Sequence, residues 1–85
     1  MDNKLEIFKK KLVYRAGYRG TKEMDILLTS FVNKYIDSFD EDLLLELDKF
    51  LNFEDEIISN FYLHDISEKQ IDKNKISTIF KSFKL

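Results

Sequence analysis

The chain has 85 residues with a formal net charge of −2 and an isoelectric point of about 5.4, which argues against a general nucleic-acid binder because such domains are normally basic. It contains no cysteine, which excludes disulfide bonds and thiolate metal sites. No apolar run approaches the roughly 20 residues that a membrane-spanning helix requires, so membrane insertion is not expected.

The rest of the composition predicts an all-α protein. Proline is absent and only two glycines occur, which is typical of helices joined by short polar loops. We predict one small domain over residues 1–85, a bundle of about five helices in which sequential neighbours are antiparallel. The first six residues lack the apolar segment of a signal peptide and the arginine-rich character of a transit peptide. We therefore expect a cytoplasmic protein, and we expect it to be a monomer.

Helix 1 is predicted over about residues 4–16. Four apolar positions at helical spacing are expected to face the core: Leu5, Phe8, Leu12 and Ala16. Ile7 and Tyr14 lie on the opposite side, where Tyr14 is either an exposed aromatic or a cover for the next helix. The three lysines at positions 9–11 are interpreted as part of a solvated face, since successive residues of a helix point in different directions.

The segment after helix 1 is the most unusual in composition. Twelve of the fourteen basic residues are lysine, yet both arginines, Arg15 and Arg19, lie here together with both glycines, Gly17 and Gly20. Arginine offers carboxylates and phosphates a planar fork of five donors, which lysine does not. Gly17 is predicted to end helix 1, and either Gly20 or Thr21 to cap helix 2.

Two interpretations of this segment stay open. In the first, Arg19 makes only a local ion pair with Glu23. In the second, which we favour, the segment is a recognition surface, because an exposed ion pair worth at most about 1 kcal/mol does not require arginine in place of lysine. Glu23 and Asp25 lie near the positive end of the helix 2 dipole, and Ile26 beside them is a candidate contact residue on a polar face.

Four further helices are predicted from the apolar periodicity. They are expected at about residues 21–36, 41–52, 54–63 and 72–83. Ser38 or Asp40 is predicted to cap helix 3, with Ser38 and Glu41 forming a capping box. The carboxylates of helix 3 are scattered along it, so they are interpreted as a solvated face and not as a metal site.

The sequence offers little to an enzyme. The only histidine, His64, has no cysteine or second histidine beside it to complete a metal site, and no glycine-rich phosphate loop is present. Glu23 and Asp25 are two positions apart, so on a helix they point about 200° from each other and are weak candidates for acid–base work. We therefore expect a protein that is not an enzyme and that holds no metal.

One motif in this segment resembles a known family. Arg19-Gly20-Thr21-Lys22-Glu23-Met24-Asp25 is similar to the RGxxExD signature of the SdhE family, the flavinylation factors of succinate dehydrogenase. The resemblance extends in order over about residues 5–63, through these further matches: Tyr14-Arg15, Leu27-Leu28-x-x-Phe31, Tyr35-x-Asp37-Ser38 and the leucine-rich helix ending Phe50-Leu51. Tyr18 departs from the pattern, since many relatives carry a second basic residue at that position.

The resemblance implies a five-helix assembly chaperone without catalytic residues. Members of the family bind the flavoprotein subunit of succinate dehydrogenase, or in some bacteria that of fumarate reductase, and promote covalent attachment of FAD to it. The resemblance implies that FAD is not held stably by this chain, while leaving open whether the chain touches it. The partner-binding residues are expected within the motif region 14–25 and beside it: Arg15, Arg19, Gly20, Glu23, Asp25, Tyr14 and Ile26.

One alternative from another functional class stays open. A non-catalytic adaptor, or an antitoxin-like regulator, would use the same surface and would need no flavoprotein. Recovery of a flavoprotein subunit in a pull-down distinguishes the assembly factor from the adaptor.

Overall fold

The computed structural model describes residues 3–85. Five α-helices follow one another along the chain: α1 Asn3–Ala16, α2 Lys22–Tyr35, α3 Glu41–Phe50, α4 Asp55–His64 and α5 Lys75–Lys81. Helix α1 packs against α2 and α3, and α5 packs against α3 and α4. No strand occurs within residues 3–85, so the predicted all-α fold is confirmed. None of the described helices is both long enough and apolar enough to cross a membrane.

The core lies where the apolar stripes of the helices meet, as predicted. The ring of Phe31, on α2, lies near its centre, with its centroid 5.1 Å from that of Phe80 and 5.4 Å from that of Phe83. The apolar helical side chains that are almost fully buried are these: Leu12, Ala16, Met24, Leu28, Phe31, Val32, Leu44, Leu47, Phe50, Ile57, Ile58, Ile76 and Phe80. Leu5 and Phe8 of the predicted α1 stripe are partly buried against this cluster.

Two predicted helix starts are confirmed at their capping residues. The Thr21 hydroxyl accepts the Met24 N–H at 3.3 Å to begin α2, and the Asp40 carboxylate accepts the Leu43 N–H at 2.9 Å to begin α3. The alternative cap at Ser38 is wrong, and so is the capping box built on it. Its hydroxyl donates to the carbonyl of Tyr35 at the end of α2.

Helix α5 is shorter than the predicted 72–83, and Asn74 is the reason. Its backbone is extended, and its side-chain oxygen accepts the Ile76 N–H at 2.8 Å. Its amide nitrogen donates to the carbonyl of Glu46 at 3.0 Å, which ties the start of α5 to α3. A 3₁₀ turn, Ile71–Lys73, precedes it and buries Ile71 completely. The apolar stripe that predicted this helix begins only at Ile76, so apolar spacing does not fix where the helix starts, and the predicted start at residue 72 is too early.

Candidate functional site

The turn between α1 and α2, residues 17–21, depends on one glycine. Gly20 has a φ of 125°, a conformation that residues with a side chain rarely adopt. Immediately before it, the Arg19 backbone N–H donates to the Asp25 carboxylate at 2.6 Å. Asp25, whose side chain is half-buried, therefore fastens the turn to the first part of α2.

Gly17 ends α1 as predicted, but for a different reason from the expected C′ role. Its N–H donates to the carbonyls of Val13 and Tyr14, at 3.3 and 3.1 Å. Among the described glycines only Gly20 has a positive φ. A Cβ placed on Gly17 would lie 3.3 Å from the Thr29 hydroxyl oxygen of α2, which is closer than most real contacts. A side chain at position 17 therefore requires the Thr29 hydroxyl to shift by a few tenths of an ångström, so the close approach of the two helices favours glycine there.

Arg19 clamps this turn to the turn between α3 and α4. Its Nε donates to Asp55 at 2.8 Å, and its two terminal nitrogens donate to the carbonyls of Leu51 and Phe53. Only 10% of the side chain is exposed. The prediction that Arg19 makes a local ion pair with Glu23 is therefore wrong, because the carboxylate that pairs with Arg19 is that of Asp55. All three nitrogens of the guanidinium act within the fold, and a direct contact of Arg19 with a partner protein stays a prediction.

Arg15 makes a similar but more exposed connection to α3. Its guanidinium pairs with the Asp48 carboxylate and donates to the Asn52 side chain at 2.7 Å. About a third of its side chain is exposed. The prediction that the α3 carboxylates form only a solvated face is thus wrong for Asp48, and also for Glu46, which accepts the backbone N–H of Lys75.

The other predicted site residues lie on the surface. Tyr14 is 63% exposed and Ile26 is 48% exposed, which settles the open question about Tyr14 in favour of an exposed aromatic. The ring of Tyr18, which the sequence did not single out as a contact residue, is 73% exposed and stacks on Tyr14 with centroids 4.4 Å apart. Gly20 is exposed as well.

Glu23 is exposed in the first turn of α2. It makes no hydrogen bond or ion pair with any residue of the described chain, unlike Arg15, Arg19 and Asp25. Its side chain lies at an open groove formed by α2, α4 and the last residue, lined by Thr21, Glu23, Met24, Leu27, Ser59, Tyr62, Leu63 and Leu85. The motif therefore divides into residues that build the turn and one acidic side chain that it presents outward.

The described residues hold no group of three or more His, Cys, Asp or Glu side chains that could bind a metal. His64 is exposed at the end of α4. The chemistry available at the turn is therefore that of contact: a backbone without a side chain at Gly20, an acidic group at Glu23, and exposed apolar surface at Tyr14, Tyr18 and Ile26.

Comparison with known proteins decides the family. The family model described as "Flavinator of succinate dehydrogenase" matches residues 10–84, which include the whole turn and all five helices in full or in part. The chain belongs to this family. The resemblance of the RGxxExD segment at residues 19–25 is thus supported by a match that extends almost to the end of the chain.

Named relatives agree with the family. The chain is 41% identical over 51 residues to succinate dehydrogenase assembly factor 2-B, mitochondrial, of Drosophila willistoni. It is 43% identical over 51 residues to succinate dehydrogenase assembly factor 2, mitochondrial, of Drosophila virilis. Each match covers 60% of this chain and about a third of the relative, 33% and 32% respectively. No solved structure matches the chain.

Proposed function

We propose that the chain is an assembly factor that binds the flavoprotein subunit of succinate dehydrogenase and promotes covalent attachment of FAD to that subunit. The observation that carries the proposal is the family match over residues 10–84. The names of the relatives, which are succinate dehydrogenase assembly factors, support it. The relatives are named as mitochondrial, whereas a cytoplasmic location and a monomeric state of this chain stay predictions.

The client docks on the surface of the α1–α2 turn. Gly20 is exposed and has no side chain, so the partner's backbone can approach it closely. Glu23 supplies a carboxylate that no group in the described chain neutralises. Tyr14 and Ile26 supply exposed apolar surface for the contact, and aromatic side chains are common among the residues that dominate binding energy.

The two arginines and Asp25 act through the shape of this surface. Arg19 fixes the turn to the α3–α4 connection, and Asp25 fixes it to α2. Holding a surface in its bound conformation before binding lowers the conformational entropy that association would otherwise cost. Arg15 contributes in the same way through Asp48 and Asn52.

The role in the reaction is to select a conformation of the client. The bond to FAD forms within the flavoprotein, and this chain supplies no catalytic residue and no stable FAD site. A binding protein shifts its client toward one conformation only by as much as it prefers that conformation, and tenfold enrichment requires about 1.4 kcal/mol of preference. Holding the reacting groups of the client in that geometry raises the rate of attachment.

The proposal is tested by co-expressing the chain with a flavoprotein subunit in cells that lack their own factor. Covalent flavin is measured by fluorescence of the denatured subunit in a gel, and the complex is isolated by affinity purification. We expect more covalent flavin and co-purification of the subunit. Recovery of another protein, with unchanged covalent flavin, would contradict the proposal and support the adaptor.

A further inference from the structure

The outer face of α1 carries a continuous strip of exposed side chains that the turn alone does not explain. We call it the α1 strip, and it consists of Ile7, Lys10, Lys11, Tyr14 and Tyr18. Ile7, Lys10, Lys11 and Tyr14 line one open depression together with Arg15, and Tyr18 stacks on Tyr14. Ile7 is 52% exposed, so apolar surface is present at both ends of the strip.

The strip is cationic although the chain as a whole is not. Lys10 and Lys11 are exposed, and neither forms an ion pair within residues 3–85. The neighbouring Arg15 is neutralised by Asp48, and Lys9, on the adjacent side, pairs with acidic groups. Two positive charges that have no ion-pair partner among residues 3–85 therefore lie beside apolar surface on a chain of net charge −2.

The two tyrosines give the strip a preformed contact surface. Their stacked rings limit each other's movement, so less side-chain entropy is lost on binding than for flexible side chains. Their hydroxyls form no hydrogen bond within the described chain and stay available to a partner. Buried tyrosines are enriched among the residues that contribute most to protein–protein affinity.

We propose that the α1 strip binds an acidic segment of the flavoprotein subunit, in which Asp or Glu side chains flank an apolar residue. The inference rests on the proposed function and adds the chemistry of the partner. The acidic groups meet Lys10 and Lys11, while the apolar residue lies between Ile7 and Tyr14. Tyr18 joins this contact to the α1–α2 turn, so one partner covers both surfaces.

The composition of the strip favours a protein over a lipid surface. Segments that bind anionic lipids typically carry about four to eight clustered basic residues, and the strip has two. It has one aliphatic side chain, Ile7, and the tyrosines stack on each other, which leaves little apolar surface to enter a bilayer. Opposite charges across a protein interface, by contrast, raise the association rate and fix the register of the partners.

A pair of charge-matched double variants tests the inference. Lys10→Glu with Lys11→Glu reverses the charge of the strip, whereas Lys73→Glu with Lys84→Glu makes the same change at two exposed lysines outside it. Because both variants lower the net charge equally, they separate local contact from overall repulsion. Circular dichroism and thermal unfolding establish that both are folded as the wild type is.

Affinity for the purified flavoprotein subunit is measured by calorimetry at low and moderate salt. We expect the strip variant to lose about tenfold or more in affinity at low salt and to regain part of that loss at moderate salt, which screens the new repulsion, and the control to lose about threefold or less. Equal losses in the two variants would overturn the inference. Binding of the wild type to phosphatidylserine vesicles, lost in the strip variant while its affinity for the flavoprotein is unchanged, would overturn it in favour of a membrane.

Failure of the inference is distinguishable from failure of the proposed function. If the wild type does not bind the flavoprotein subunit, both are wrong. If the wild type binds and promotes covalent flavin while the strip variant does so equally well, only the α1 strip proposal is wrong.

Discussion

Replacing Arg19 by lysine isolates the geometry of the side chain from its charge. The guanidinium donates in three directions, to Asp55 and to the carbonyls of Leu51 and Phe53. A lysine ammonium is a single centre on a flexible stem and cannot reproduce this planar fork. We expect it to keep the contact with Asp55 and to lose the two carbonyls.

The expected cost follows from those two contacts. Hydrogen bonds of this kind contribute about 0.5–1.5 kcal/mol each, and more when a buried acceptor is left without a partner. Since the side chain is only 10% exposed, water replaces the lost donors poorly. We expect Arg19→Lys to lower the free energy of unfolding by about 2 kcal/mol, which corresponds to a fall in Tm of roughly 8–16 °C for a domain of this size.

Arg15→Lys is the matched control, because Arg15 also connects helix α1 to α3 but is about one-third exposed. A more exposed ion pair contributes at most about 1 kcal/mol. Thermal and urea unfolding of the two variants measure the difference. An Arg19→Lys variant as stable as the wild type, or no less stable than Arg15→Lys, would refute the role of Arg19 in holding the α1–α2 turn to the α3–α4 turn. Calorimetry with the flavoprotein subunit then shows whether the loosened turn also binds the client more weakly, as we expect.

Two further predictions concern single side chains. Asn74→Ala removes the cap of α5 and the bond to the Glu46 carbonyl. We expect the free energy of unfolding, measured with urea, to fall by about 1–3 kcal/mol, with client affinity at native temperatures unchanged. Unchanged stability would contradict this role. Glu23→Gln is expected to weaken client binding about threefold to tenfold with little change in Tm. Glu41→Gln, in the first turn of α3, is the control for the helix dipole and is expected to bind the client normally. Equal client affinities of the two variants would count against Glu23 as a contact.

The sequence predicts the helices well because their apolar spacing is also the spacing of the core. The predicted starts of α2 and α3 agree with the structure to about one residue, since Thr21 and Asp40 satisfy backbone donors locally. The start of α5 is missed although Asn74, a residue type that often caps helices, precedes the apolar stripe and accepts the Ile76 N–H. Its second bond, to Glu46 of α3, joins residues distant in sequence. No local pattern indicates such a contact.

The same limit applies to the site. Composition alone indicates that the segment with both arginines and both glycines is special, and the resemblance indicates what it serves. The inward direction of Arg19 could not be predicted, because its acceptors are set by the packing of α3 and α4. Tyr18 was noted only as a departure from the family pattern, yet stacking on Tyr14 makes it part of the exposed surface.

The most direct test of the docking surface uses two replacements of Gly20. Both Gly20→Ala and Gly20→Arg carry the backbone strain of a φ of 125°, of order 1–3 kcal/mol, but only arginine adds a long side chain where the client's backbone approaches. Each is co-expressed with the flavoprotein subunit, and covalent flavin is measured by in-gel fluorescence. The account predicts that Gly20→Ala retains most of the covalent flavin and that Gly20→Arg, although folded, abolishes the gain. Normal covalent flavin with a folded Gly20→Arg variant would contradict it.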